Sequence, residues 1–141
     1  LLGYAHCLLT GINLDFLQMQ FPGSREFFQM RVVVLSNLIF ININEPLALV
    51  NPVITKCSRK LMTLWDDCFS FPNLLVKVKR NLSIEVHYQD VEGKKQTLEA
   101  GEGLSELLQH EIDHINGVLA IDRAIDSKHI VFRSEYEKWV R

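Results

Sequence analysis

Gln109-His110-Glu111-Ile112-Asp113-His114-Ile115-Asn116-Gly117-Val118-Leu119 is the most informative stretch of the chain. Upstream and within it, Leu104, Leu107, Leu108, Glu111, Ile112 and Ile115 recur at three- and four-residue intervals. That spacing predicts an amphipathic helix, with Asn116-Gly117 as its end and glycine as the C-cap. Side chains four apart sit one above the other on a helix, so His110 and His114 share a face and can ligate one metal ion. Glu111 projects about 100° round from His110. Its carboxylate can there reach a metal-bound water without being a ligand, which separates the Lewis acid from the proton carrier.

Two imidazoles do not complete a metal site, and a third protein ligand must come from elsewhere. The polar tail offers His129, Glu135 and Glu137, as a zincin-type metallopeptidase would require. The other candidate is Cys68, in Trp65-Asp66-Asp67-Cys68-Phe69-Ser70-Phe71-Pro72, whose thiolate suits a soft or borderline metal.

The rest of the chain reads as strands. Leu82, Ile84, Val86 and Tyr88 alternate with polar residues, Val91-Glu92-Gly93-Lys94 supplies a turn, and Gln96 to Ala100 returns, which predicts a hairpin. Gly101-Glu102-Gly103 breaks that pattern before the helix. Arg31 to Leu35 is rich in β-branched residues, and Val32 to Ile43 reads as one or two buried strands, too short and too polar to span a bilayer. Leu47 to Ile54, interrupted by Asn51-Pro52, is expected at a sheet margin, because proline cannot donate to a ladder. Leu8 to Phe21 carries weak helical spacing, and Ser134 with Glu137 has capping-box spacing for a last short helix. Strands followed by one central helix make an α+β chain.

With 141 residues, 48% hydrophobic and 23% charged, the chain is expected to form a single domain over 1–141 rather than a disordered segment. The net charge of -2 supplies no basic field for nucleic acid or an anionic membrane. Cys7, Cys57 and Cys68 make a poor disulfide framework and point to a reducing compartment. Residue 1 is leucine, so the chain is expected to be a fragment or a processed form.

From Leu47 to Asp126 the sequence resembles the peptide deformylases. Gln109 to Leu119 is close to that family's third signature, including the Asn-Gly-Val-Leu tail that ordinary zincins lack. Asp66-Asp67-Cys68-Phe69-Ser70 is similar to the second, normally Glu-Gly-Cys-Leu-Ser; Leu49-Val50-Asn51-Pro52 and Ile121-Asp122-Arg123 match the flanking segments. The resemblance implies antiparallel strands wrapped around a central helix that carries the metal motif. It implies Cys68, His110 and His114 as metal ligands, Glu111 as general acid/base, and the backbone N–H of Phe69 as an oxyanion donor. The implied cofactor is one divalent ion, Fe²⁺, commonly replaced by Zn²⁺ or Ni²⁺. The implied substrates are N-formylmethionyl peptides and nascent chains, in the bacterial cytoplasm or a eukaryotic organelle, with no nucleic acid or membrane as partner. Leu107, one turn before His110, is a candidate wall for the methionine side chain.

Three departures stand out. Asp66 replaces glutamate yet keeps an acceptor that can orient a ligand histidine. Asp67 replaces glycine and puts a charge where peptide should pass. The first signature, Gly-x-Gly-x-Ala-Ala-x-Gln, is replaced by Gln18 to Phe28; gapless alignment sets Arg25 at the glutamine position, and Gln20 fits only with a gap. Those losses keep a second reading open: a weak or inactive deformylase-like protein that binds peptide N-termini.

Overall fold

The structure is a computed structural model and describes residues 31–35, 37–42 and 46–139. The weak helical spacing of Leu8 to Phe21 and the expectations for Gln20 and Arg25 lie outside the described residues.

The described chain runs β1 (Arg31–Leu35), β2 (Leu38–Asn42), β3 (Pro46–Cys57), β4 (Leu61–Asp67), β5 (Leu74–Asn81), β6 (Ser83–Gln89), β7 (Lys95–Gly101) and α1 (Glu102–Ile115). Two short 3-10 turns, Ala120–Arg123 and Ser127–His129, lead to β8 (Ile130–Phe132) and α2 (Arg133–Trp139). The strands form two sheets, ordered β1-β2-β3-β6-β7 and β4-β5-β8, and all paired strands are antiparallel. Helix α1 packs on β1, β3, β6 and β7 of the larger sheet and on β5 of the smaller one. The expected α+β arrangement, antiparallel strands about one helix, is what forms. Among the described residues no helix is long and apolar enough to cross a membrane.

Apolar alternation explains the larger sheet. Ile39, Ile41 and Leu49 meet Ile84 and Val86 from β6, Ala100 from β7, and Leu108 and Ile112 from α1 in one buried cluster. Leu107 packs against this cluster as well. The β6–β7 hairpin is in uninterrupted register from Ser83↔Gly101 to Gln89↔Lys95. Its turn holds Gly93 at φ +80, and the Asp90 carboxylate accepts the N–H groups of Glu92 and Lys94 at 3.1 and 2.9 Å.

The marginal position expected for Leu47 to Ile54 is corrected: β3 lies between β2 and β6, at the centre of its sheet. Proline is tolerated there because the register with β6 shifts between Val50 and Val53, so Pro52 occupies a bulge and is not asked for a ladder hydrogen bond. Asn51 takes φ 50 at that bulge, and its N–H donates to Asn37 C=O at 2.7 Å. A second correction is small: α2 begins at Arg133, so Ser134 lies inside the helix instead of capping it.

Helix α1 ends at Asn116-Gly117 as expected, but the C-cap is the asparagine and not the glycine. Gly117 follows at φ +74, with its N–H donating to His114 C=O at 3.0 Å. A Cβ on Gly117 would meet nothing within 4 Å, so only backbone strain opposes a side chain there. Gly117→Ala is therefore expected to destabilise the fold by about 1–2 kcal/mol, read as a lower urea midpoint with an unchanged slope.

Candidate active site

The central helix and the β4–β5 hairpin bring three ligand-type side chains together. Cys68 follows β4 directly, and the Phe71 N–H donates to its carbonyl at 2.8 Å in the tight turn beyond it. Cys68 Sγ lies 3.2 Å from His114 Nε2, which lies 3.0 Å from His110 Nε2. The ligand atoms of Cys68, His110 and His114 all fall within 4.8 Å of one another. The tail candidates go elsewhere: His129 pairs with Asp126 and Glu135 with Lys138, and among the described residues neither they nor Glu137 join a metal-type cluster.

Orientation of the set comes from Asp66, which is buried in the inward register of β4 with Met62 and Leu64. His110 Nδ1–H donates to its carboxylate at 2.9 Å, which turns Nε2 toward Cys68 and His114. Asp66, where the resembled signature has glutamate, thus keeps a carboxylate on His110. Gln109 fixes the helix itself: its amide donates to Asn81 C=O at 2.9 Å and accepts the Asn81 N–H at 3.0 Å, tying α1 to the end of β5.

The electrostatics couple these donors to one another. Burial works to raise the Cys68 thiol, but hydrogen bonds from His110, His114 and Ser70 prevail and bring its pKa down to about 5. Burial works to lower His110, yet its bonds to Asp66 and Cys68 prevail and raise it to about 10. Without a metal, Cys68 and His110 therefore form a thiolate–imidazolium pair, and His110 ligates once its Nε2 proton is released; two nitrogens with one sulfur suit a borderline metal such as zinc or ferrous iron. Glu111, half-buried beside the set, is raised by burial against the pull of His110 and His114. Glu106, one turn before His110, is pushed up to about 7 by burial and then by the charge of Asp66. Asp66, Glu106 and His110 are also close together, but Asp66 is already engaged by His110 and Arg80.

Phe69, whose backbone N–H the sequence nominates as an oxyanion donor, directly follows Cys68, with a side chain that is 71% exposed. Asp67 is exposed and accepts from Arg133 Nη2 at 2.7 Å, so its charge is partly neutralised at the rim.

What the sequence reading missed is a buried ionic network behind the ligands. Arg80 Nη2 donates to Asp66 at 3.1 Å and Nη1 to Asp113, while Arg123 Nε donates to Asp113 at 3.0 Å. Burial opposes ionisation of Asp113, but Arg123 and Arg80 prevail and hold its carboxyl below the usual carboxylate range. The signal was present in β5, where Val76, Val78 and Arg80 alternate: an arginine in an inward apolar register needs buried partners.

Asp66→Asn keeps the shape and an acceptor oxygen but removes the charge that makes His110 a strong ligand. Metal affinity is expected to fall about 10–100-fold, measured by competition with a chelator. Unchanged affinity would remove Asp66 from the centre.

The chain is similar in sequence and fold to known proteins. A peptide deformylase 1 from Nostoc sp. is 43% identical over 84 residues, covering 60% of this chain and 45% of that protein. A peptide deformylase from Agrobacterium fabrum is 40% identical over 96 residues, covering 68% of this chain and 56% of that one. The chain thus spans about half the length of the curated relatives it matches. Among solved structures, the Synechococcus elongatus peptide deformylase in complex with actinonin aligns with a TM-score of 0.62 at 37% identity, over 66% of this chain and 52% of that one. The Thermotoga maritima peptide deformylase aligns with a TM-score of 0.60 at 33% identity, over 64% of this chain and 62% of that one. The profile of the polypeptide deformylases matches residues 11–129, well over half of the sequence, and by that match this chain belongs to the polypeptide deformylase family.

Proposed function

We propose that this chain, as a single deformylase-like domain over 1–141, removes the formyl group from the N-terminal formylmethionine of nascent polypeptides. The observation that carries the reading is the convergence of Cys68 Sγ, His110 Nε2 and His114 Nε2 with Glu111 beside them. These three residues would hold one divalent ion, Fe²⁺ in the cell, with Zn²⁺ or Ni²⁺ as replacements. When bound, such an ion supplies Lewis-acid polarisation of the formyl carbonyl and a lowered pKa for water.

The chain's own groups do the rest. Glu111, its carboxyl raised by burial, takes the proton of the attacking water and delivers it to the departing amine nitrogen. The Phe69 N–H donates to the oxygen on which negative charge develops. Asp66 holds the proton on His110 Nδ1, so that ligand keeps one tautomer throughout. N-formylmethionyl peptides are the substrates, which places the protein in a bacterial cytoplasm or in a eukaryotic organelle.

The test is release of free amine from a formylmethionyl peptide by protein prepared anaerobically with Fe²⁺. Catalytic turnover is the expected result. Metal bound at one equivalent with the peptide held but uncleaved would replace this reading by one of peptide N-terminus binding. Cys68→Ala is expected to lose most of its metal and all measurable turnover. Full metal content in that variant would instead support the zincin-type assignment, in which no cysteine is needed.

A further inference from the structure

Arg123 lies far along the chain from the cysteine and is half-exposed, yet it is the outer end of an unbroken run of charged contacts that reaches a ligand-type histidine. Its Nε and Nη2 grip both oxygens of Asp113, at 3.0 and 2.5 Å. Asp113 also accepts from Arg80 Nη1; Arg80 Nη2 donates to Asp66, and Asp66 accepts from His110 Nδ1. Arg80 is 4% exposed, and among the described residues its Nε has no hydrogen-bond partner, so the two carboxylates are what hold this guanidinium there. Asp113 and Asp66 compete for one cation. The forked grip of Arg123 satisfies part of Asp113's demand and leaves Arg80 shared between the two.

We propose that Arg123 is a positioning residue for the metal centre, acting through Asp113, Arg80 and Asp66 to hold His110 in its ligating orientation. Without Arg123, Asp113 carries an unpaired oxygen and draws Arg80 toward itself. Asp66 then loses the contact that fixes its carboxylate plane, and the His110 ring loses its rigid partner. This inference rests on the metal-site reading given above, and its test separates the two.

The probe is Co²⁺, titrated anaerobically into the whole protein and followed by its thiolate charge-transfer and d–d absorption. The unsubstituted protein is expected to bind one equivalent with both bands; their absence would overturn the metal reading itself. Arg123→Ala is expected to raise the Co²⁺ Kd about tenfold and to shift the d–d bands, while its circular dichroism stays native. Arg123→Lys, which keeps the charge but not the fork, should fall between. In an Asp113→Asn background, Arg123→Ala should add no further change in Kd, because its route is already cut. A change of less than twofold in the otherwise native protein would overturn the proposal, as would an undiminished effect in the Asp113→Asn background. A lower unfolding midpoint with unaltered Kd and spectrum would assign Arg123 a structural role only, and would overturn it equally.

Discussion

Glu111→Gln is expected to leave metal content near native and to lower turnover of a formylmethionyl peptide by at least ~10²-fold. Glutamine matches glutamate in size and in its acceptor oxygen, so the packing beside His110 and His114 should survive. It cannot take a proton. Glu111 lies next to the histidines on α1 and outside the cluster of converging ligand atoms, so the change should touch proton transfer and leave ligation alone. Burial raises the Glu111 carboxyl, bringing it nearer the working pH, where a group can both accept and return a proton. The measurement pairs metal analysis with steady-state kinetics on one preparation. Unchanged turnover would remove Glu111 from the mechanism, and lost metal would make it a ligand.

The largest expected effect on stability is at Arg80. Arg80→Ala leaves Asp66 and Asp113 buried without the cation they share, and removing one partner of a buried ionic group typically destabilises by about 3–5 kcal/mol. Against a typical total of about 5–15 kcal/mol, that is a large fraction. Urea unfolding at neutral pH measures it, and a loss below about 1 kcal/mol would contradict the network's structural role. Acid adds a second signature. Because Asp113 is held below the usual carboxylate range, it contributes stability above that range, lost as pH falls through its lowered value. In Arg80→Ala the acid transition should move upward, toward that of an ordinary carboxylate.

The parts of this architecture that could be read from the sequence were those with a clean period. Strict alternation from Leu82 to Tyr88 and the apolar face from Leu104 to Ile115 gave the hairpin and the helix within a residue or two of their bounds. His110, Glu111 and His114 were legible because a helix enforces their proximity locally. Cys68 stood as one of several candidates for the third ligand until the resemblance selected it, since nothing local brings it to the helix. Strands β4 and β5 escaped notice because their inward positions end in Asp66 and Arg80, which break the apolar alternation. The pairing of Arg80 with the helix is a tertiary fact: Arg80 and Asp113 are 33 residues apart. Pro52 misled for the opposite reason, since proline marks the edge of a regular ladder and β3 is irregular at that point.

Cys68 packs in the smaller apolar cluster, with Val76, Val78 and Ala120, whereas the helix bearing both histidines is built into the larger one. The ligand set therefore straddles a seam between two modest cores. An ion seated there would act as a rivet as well as a reagent, lending the fold RT ln(1 + [L]/Kd), about 4 kcal/mol at a thousandfold excess over Kd. Cohesion between the halves would then vary with the cell's supply of that ion, and on the proposed function a metal-starved chain would be loosened at the same place where it is silenced.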